Sequence, residues 1–574
     1  MLRSAWPYLN ERLPPCIPLR TAHFACRTSH VAHGGTRRDP SASNTTKLFV
    51  GEVLVRKSAF LAAALIAFFC SAIIPLVARS APTRAPAYWT RVTGPGSLAR
   101  ARATKAQEPG TRTQYLHKCR VPGVDQDLLC GTYEVFENRV ARAGRKIPLN
   151  IILMPATGPM VERDALVYLA GGGVVPATRY AGMFARWFAT LREHRDILLV
   201  DQRGTGKSNP LDCATTTAMP REPGTTMTAY LAGIRGCRDE LSKRADLRFY
   251  TTPIAMDDLD EVRAALGYET LDLMGMSYGT KAAQVYLRQY PARVRTIALH
   301  GPMPMDAPMW LELPRSGQDT LDLVFKTCAA DAECGKAFPE LGREFATARE
   351  RLRAKPVTTE AEAPDGAMKR VTITEQTLID NLTGMVNIAR GIRDIPLMLH
   401  QAYGGDYTML AALAAEEGTT GPGAPPIAPR GLYLSLLCSE SIPQFDPRDI
   451  DRATAGTFMG GGWLHNQVDV CGEWVKSSLP SGFWKPVRSE LPALVTAGAF
   501  DATTPPRYAE SVVKHFSNGR LIVLPARSHN DGDACTMSLI QSLVIAGSAR
   551  DIDTGCVAET PVLKFGVKIG RGTN

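Results

Sequence analysis

The run Leu271-Asp272-Leu273-Met274-Gly275-Met276-Ser277-Tyr278-Gly279-Thr280 decides how the rest of the chain is read. Its first half is apolar and strand-like, Gly-x-Ser-x-Gly spans positions 275 to 279, and a helix-like stretch from Lys281 to Tyr290 follows at once. A sharp strained turn between strand and helix lifts the Ser277 hydroxyl off the end of a sheet. It needs glycine at 275 and 279, where a Cβ would collide. The backbone N–H of Tyr278, at the start of the helix, then points at any oxyanion that develops when the serine attacks a carbonyl. Chance also puts such a pentapeptide into turns of a chain with 49 glycines, so the reading depends on an acid and a base elsewhere.

A serine hydroxyl is a weak nucleophile near neutral pH and needs a base within hydrogen-bond reach, itself oriented by an acid. On sheets that carry this turn the chain order is serine, acid, histidine, each just past the carboxyl end of a strand. Asp501 follows the apolar strand that begins at Leu491, and His529 follows the next one, Arg520 to Leu524. Asp306, in the loop after the strand Val294 to His300, is the rival acid, but a strand-end acid at 501 pairs naturally with His529. Of the ten histidines, His23, His30 and His33 are in the leader, His117 and His194 come too early, and His300 precedes the acid. His400 and His465 fall in an inserted segment and His515 in a helix pattern, which leaves His529 as the base.

Upstream, the strand Asp164 to Ala170 runs into Gly171-Gly172-Gly173, whose backbone N–H groups are unshielded; Gly172 is the second candidate oxyanion donor beside Tyr278. The strand Asp196 to Val200 ends in Asp201-Gln-Arg-Gly-Thr-Gly-Lys-Ser208. This is no phosphate loop, because Asp201 stands where the first glycine of that motif belongs. From residue 147 to 301 apolar strands alternate with helix patterns, which predicts an α/β fold with a mostly parallel sheet flanked by helices. Residues 309–487 break the alternation, read as helical with Gly/Pro-rich interruptions such as 418–429, and predict an inserted cap. The expected organisation is a leader and signal over 1–80, a flexible lead-in over 81–112, core over 113–308, cap over 309–487, core again over 488–560 and a tail over 561–574.

The net charge of +10 suggests a nucleic-acid partner only until it is located. Residues 1–80 carry +7 of it, and no basic stripe with interleaved aromatics occurs in the remainder, so no nucleic acid is expected. The apolar run 59–77 follows Arg56-Lys57 and leads to Ala78 and Ser80, the small positions of a cleavable export signal covering about 56–80. An uncleaved membrane anchor is the alternative. Residues 1–50 lack periodicity and are expected to be untranslated, with a start near Val50–Val55. Without Cys16, Cys26 and Cys70 of the leader, ten of the thirteen cysteines remain, in sequence-local couples: 119 with 130, 213 with 237, 328 with 334, 438 with 471 and 535 with 556. Five disulfides in a secreted or periplasmic protein are expected. No Cys/His cluster has zinc-ligand spacing, and no metal or cofactor is expected.

Together, Ala170-Gly-Gly-Gly173, Asp201-Gln-Arg-Gly-Thr-Gly-Lys-Ser208, Gly275-Met-Ser-Tyr-Gly-Thr280, Asp501-Ala-Thr-Thr-Pro-Pro506 and His529 resemble the prolyl-aminopeptidase and tripeptidyl-aminopeptidase branch of the α/β-hydrolases, over roughly 115–545. The resemblance implies a secreted serine exopeptidase that removes short units from peptides with a free amino terminus. An acidic cap residue would pair with the substrate amine, and Glu440 in Cys438-Ser-Glu440 is the candidate. The branch's His-Gly-Gly-Pro-Gly loop is here Ala170-Gly-Gly-Gly-Val174, without the histidine and the proline, which leaves the backbone donors but changes the loop. An esterase or lipase with the same three residues, and a non-catalytic hydrolase-like binding protein, are the competing readings.

Overall fold

The computed structural model describes residues 104–105, 114–213, 226–363, 366–387, 389–417, 430–529, 532–559 and 563–568. The expected leader and signal, and the interruption 418–429, lie outside these. Nine strands form the main sheet: β1 Leu116–Cys119, β2 Leu128–Phe136, β3 Lys146–Met154, β4 Asp164–Leu169, β5 Asp196–Val200, β6 Thr270–Met276, β7 Val294–His300, β8 Ala493–Gly498 and β9 Gly519–Leu524. Their order across the sheet is β9-β8-β7-β6-β4-β5-β3-β2-β1. Strands β4 to β9 run parallel to one another, while β3 pairs antiparallel with β5 and β2, and β1 antiparallel with β2.

The apolar runs of the sequence are strands buried on both faces. Every residue of β4 and of β8 is buried. Alternate side chains go to opposite faces. Ala165, Val167 and Leu169 of β4 join one apolar cluster, and Leu166 and Tyr168 join the other. The first cluster is covered by the helices α1 (Thr252–Ala265) and α2 (Tyr278–Gln289), the second by α6 (Ala534–Ala546) and by Phe184 and Phe188.

The insertion divides between two cores. Leu321, Val324, Phe345, Leu378, Leu382, Ile395 and Leu399 build a separate apolar cluster, with α3 (Met309–Ala330) and α4 (Ala389–Gly404) among its helices. Residues 432–438 and Val470, Cys471 and Trp474 instead pack on the first cluster of the main sheet, beside α1 and α2. Within the stretch read as helical the structure has an antiparallel hairpin, Val357–Glu362 with Met368–Ile373. Its Val357-Thr-Thr359 and Val371-Thr-Ile373 are β-branched and alternate between more and less exposed positions, as an edge ribbon requires.

The five disulfides join the couples that lie nearest in sequence, Cys119–Cys130, Cys213–Cys237, Cys328–Cys334, Cys438–Cys471 and Cys535–Cys556. Among the described residues no helix is long and apolar enough to cross a membrane. Register aligns the carboxyl ends of the parallel strands: Leu169 opposes Gly275, Met276 opposes His300, and Gly498 opposes Leu524. The loops after β4, β6, β8 and β9 therefore share one edge, where helix α5 (Pro506–Val513) follows the loop after β8.

Candidate active site

Ser277 stands between β6 and α2 with φ 52° and ψ −119°, a conformation costly for a residue with a Cβ. The turn survives because its neighbours hold both sides. Ser277 N donates to His300 O at 3.0 Å, and Thr280 N donates to Ser277 O at 2.9 Å. A Cβ on Gly275 would meet the carbonyl of Gly279, and one on Gly279 would run into the carbonyl of Leu169 at the end of β4. Both glycines are dictated by close backbone approach.

The structure brings Ser277, His529 and Asp501 into one hydrogen-bonded line. His529 Nε2 lies 2.9 Å from Ser277 Oγ, and His529 Nδ1 lies 2.9 and 3.0 Å from the two oxygens of Asp501. With Nδ1 donating to the carboxylate, Nε2 is left to accept from the serine hydroxyl. Asp501 is 1 % exposed and is held on its own loop: Thr503 N and Thr504 N donate to Oδ1 at 2.9 and 2.6 Å, and Thr504 Oγ1 donates to Oδ2 at 2.7 Å. Phe500 N donates to Arg527 O at 2.9 Å, which ties the acid's loop to the histidine's. Asp306, the rival acid, is exposed at the start of the insertion.

Two residues at this edge stand beside the three that the sequence points to. Thr504 Oγ1 sits 3.0 Å from His529 Nδ1 as well as on Asp501; its position three residues past Asp501 reads simply as a turn. His300 is buried beneath the line, with Nδ1 2.8 Å from Thr496 Oγ1. Burial, the largest cause, lowers its pKa to about 4, so the ring is neutral at ordinary pH.

On the upstream side Gly172 and Gly173 both have φ 72°, a region that glycine enters without strain. A Cβ on Gly171 would come within 3.4 Å of Ser277 Cβ, so this loop lies against the serine. The Asp201-Gln-Arg-Gly motif supports this loop. Asp201 accepts from Thr178 N at 2.9 Å, Thr178 Oγ1 at 3.0 Å and Asn150 Nδ2 at 2.8 Å. Arg203, fully buried, forks onto Asp258 at 2.6 and 2.7 Å and donates to the carbonyls of Glu137 and Phe249. These charges are spent inside the fold.

Glu440, expected to meet a substrate amine, is 1 % exposed, and both its oxygens accept from one residue: Thr252 N at 2.6 Å and Thr252 Oγ1 at 2.8 Å. Burial raises its pKa against the opposing field of Lys281, and burial lowers that of Lys281 against the field of Glu440. Among the described residues no group of three His, Cys, Asp or Glu side chains could hold a metal ion.

Comparison with known proteins adds the following. The family described as alpha/beta hydrolase fold matches residues 165–533. The serine protease Hip1 of Mycobacterium tuberculosis is 29% identical over 232 residues, covering 38% of this chain and 44% of that protein. The tripeptidyl aminopeptidase of Streptomyces lividans is 30% identical over 187 residues, covering 30% of this chain and 35% of that protein. The chain thus matches less than half the length of either relative. The solved structure of proline iminopeptidase from Mycobacterium smegmatis aligns with 73% of this chain and 98% of its own, at 16% identity and a TM-score of 0.34.

Proposed function

Because the chain belongs to the alpha/beta hydrolase fold family, we propose that it is an exported serine hydrolase that cleaves short units from the amino terminus of peptides. The observation that carries the chemistry is the 2.9 Å approach of His529 Nε2 to Ser277 Oγ, with Asp501 on the far nitrogen of the same ring. Ser277 Oγ attacks the scissile carbonyl while its proton passes to His529 Nε2, and the N–H groups of Tyr278 and Gly172 hold the resulting oxyanion. Collapse of that intermediate breaks the C–N bond, and the leaving amine takes the proton from His529. Water, deprotonated by the same histidine, then releases the acyl group and restores Ser277. Asp501 keeps the imidazole in the required tautomer and stabilises the imidazolium.

The peptide preference is supported by the relatives, a serine protease and a tripeptidyl aminopeptidase, each over part of its length. Export is supported by the apolar run behind Arg56-Lys57 and by five disulfides, which persist in oxidising compartments.

A fluorophosphonate probe tests the nucleophile. Labelling of the wild type and none of Ser277→Ala is expected; labelling that persists in the variant rejects the assignment. Tripeptidyl amides with free and blocked amino termini, assayed beside short acyl esters, test the substrate class. The reading expects turnover of the free peptides well above that of the blocked ones. Equal turnover of both, with faster cleavage of the esters, would assign an esterase instead.

A further inference from the structure

Glu440 belongs to a single π-helical turn, Leu437–Ser441, that is anchored on all sides. Cys438 is bonded to Cys471, Ser439 Oγ accepts from Ser477 N at 2.9 Å, and the carbonyl of Glu440 accepts from Trp484 Nε1 at 2.9 Å. The carboxylate is therefore presented at a fixed point, and that point is the amino terminus of α1, where the helix dipole favours negative charge. The N-cap residue there, Thr251, makes no side-chain cap bond of its own.

Hydrogen-bond counting gives the contact a direction. The Thr252 hydroxyl has one proton and donates it to Glu440 Oε2 at 2.8 Å, so at its 2.6 Å contact with the Tyr278 hydroxyl it must accept. Tyr278 in turn accepts from Gln202 Nε2 at 3.2 Å. Burial and the nearby Glu440 both raise the phenol's pKa, so it stays protonated and able to donate. The line runs Gln202, Tyr278, Thr252, Glu440, each member donating to the next.

The ring at the middle of this line stands against the oxyanion loop. A Cβ on Gly173 would lie 3.2 Å from Cγ and Cδ2 of Tyr278 and 2.9 Å from Cδ1 of Leu436, so ring and leucine clamp the loop on that side. Ring and loop both border a cavity of about 30 Å³, lined in part by Leu169, Ala170, Gly173, Gln202 and Tyr278. That is room for one water, so packing alone does not fix the loop.

We infer that Glu440 is a positioning residue of the oxyanion hole: through Thr252 it fixes the Tyr278 ring, and with it both the Tyr278 N–H and the loop that carries the Gly172 N–H. The inference rests on the reading of Ser277 as the nucleophile. It makes the segment that returns from the insertion part of the catalytic geometry without contact with substrate.

An oxyanion hole acts on the transition state more than on the bound substrate, so misplacing it lowers kcat and leaves KM. Removing one donor outright costs about a hundredfold or more; loosening the tether should cost on the order of tenfold. With p-nitrophenyl acetate, and kcat normalised to sites titrated by fluorophosphonate, Tyr278→Phe and Glu440→Gln should each lower kcat about tenfold with KM within about twofold of wild type. The double variant should fall no further than the weaker single, since both cut one line. Thr252→Ser, which keeps the hydroxyl, should act as wild type and Thr252→Ala as Tyr278→Phe; this pair gives the same reading if Glu440→Gln does not fold. Unchanged kcat per titrated site with a lowered Tm would overturn the inference and leave Glu440 a structural residue. A raised KM of Glu440→Gln confined to tripeptidyl amides with a free amino terminus would overturn it in favour of amine recognition. Loss of labelling in Ser277→Ala tests the underlying reading separately, so the two can fail independently.

Discussion

Acid should destabilise this protein through His300, a residue outside the proposed chemistry. The ring, on the last residue of β7, is buried with Thr496 Oγ1 on Nδ1. Asp501 and Asp533 favour its charged form and His529 opposes it, but burial outweighs them and the pKa falls from 6.5 to about 4. The folded value lies below the unfolded one, so between pH 4 and 6.5 the unfolded chain binds more protons. Stability then falls as pH drops through that window. A tenfold step in a protonation equilibrium is worth about 1.4 kcal/mol. The displacement to about 4 therefore removes roughly 3 kcal/mol at strongly acid pH, of which roughly 2 are already lost at pH 5. Replacement by asparagine keeps a polar partner for Thr496 and cannot titrate. Urea unfolding of wild type and His300→Asn at pH 7.5 and pH 5.0, disulfides intact, isolates the effect, because groups remote from residue 300 contribute equally to both proteins. Wild type should lose about 2 kcal/mol more than the variant over this interval. Equal losses would refute the claim that His300 is held neutral by the fold.

Other consequences are as direct. Asp258→Asn leaves the fully buried Arg203 without its carboxylate and should lower unfolding free energy by about 3–5 kcal/mol in urea titrations. Gly279→Ala drives a methyl into the carbonyl that ends β4 and should abolish fluorophosphonate labelling, while Gly472→Ala, with open space around its Cβ, should stay within about 0.5 kcal/mol of wild type. Deleting residues 563–574 removes Leu563 and Phe565, both buried in the insertion's core and flanked by bonds to Arg393. By differential scanning calorimetry the fold should lose on the order of 3 kcal/mol, as burial of two such side chains implies.

What the sequence could convey follows from the range of the interactions involved. Strands buried on both faces are largely apolar, so β4, β6, β7 and β8 announced themselves despite Asp164, Asp272 and Arg295, and the elbow between β6 and α2 followed from two glycines that close approach requires. The meeting of Asp501 and His529 beside Ser277 was legible for a similar reason: a parallel sheet sends every strand's carboxyl end to one edge, so position along the chain stood in for position in space. The hairpin Val357–Glu362 with Met368–Ile373 was hidden because its strands are short and polar, inside a stretch where helices prevail. Glu440 shows the stronger limit. Whether a carboxylate meets a ligand or the fold depends on what faces it, and what faces Glu440 is Thr252, 188 residues earlier. No periodicity near Cys438-Ser-Glu440 encodes that pairing. The same holds for the choice between the two cores made inside the insertion: Leu432, Leu434 and Leu436 are apolar like Leu410 and Ala411 of the helix Thr408–Glu417, yet they join the first cluster of the main sheet and not the insertion's own. Local pattern specifies that an apolar face exists, whereas the partner that buries it is specified by the rest of the chain. Sites assembled from such partners, here the line from Gln202 to Glu440, are where a reading from sequence stops.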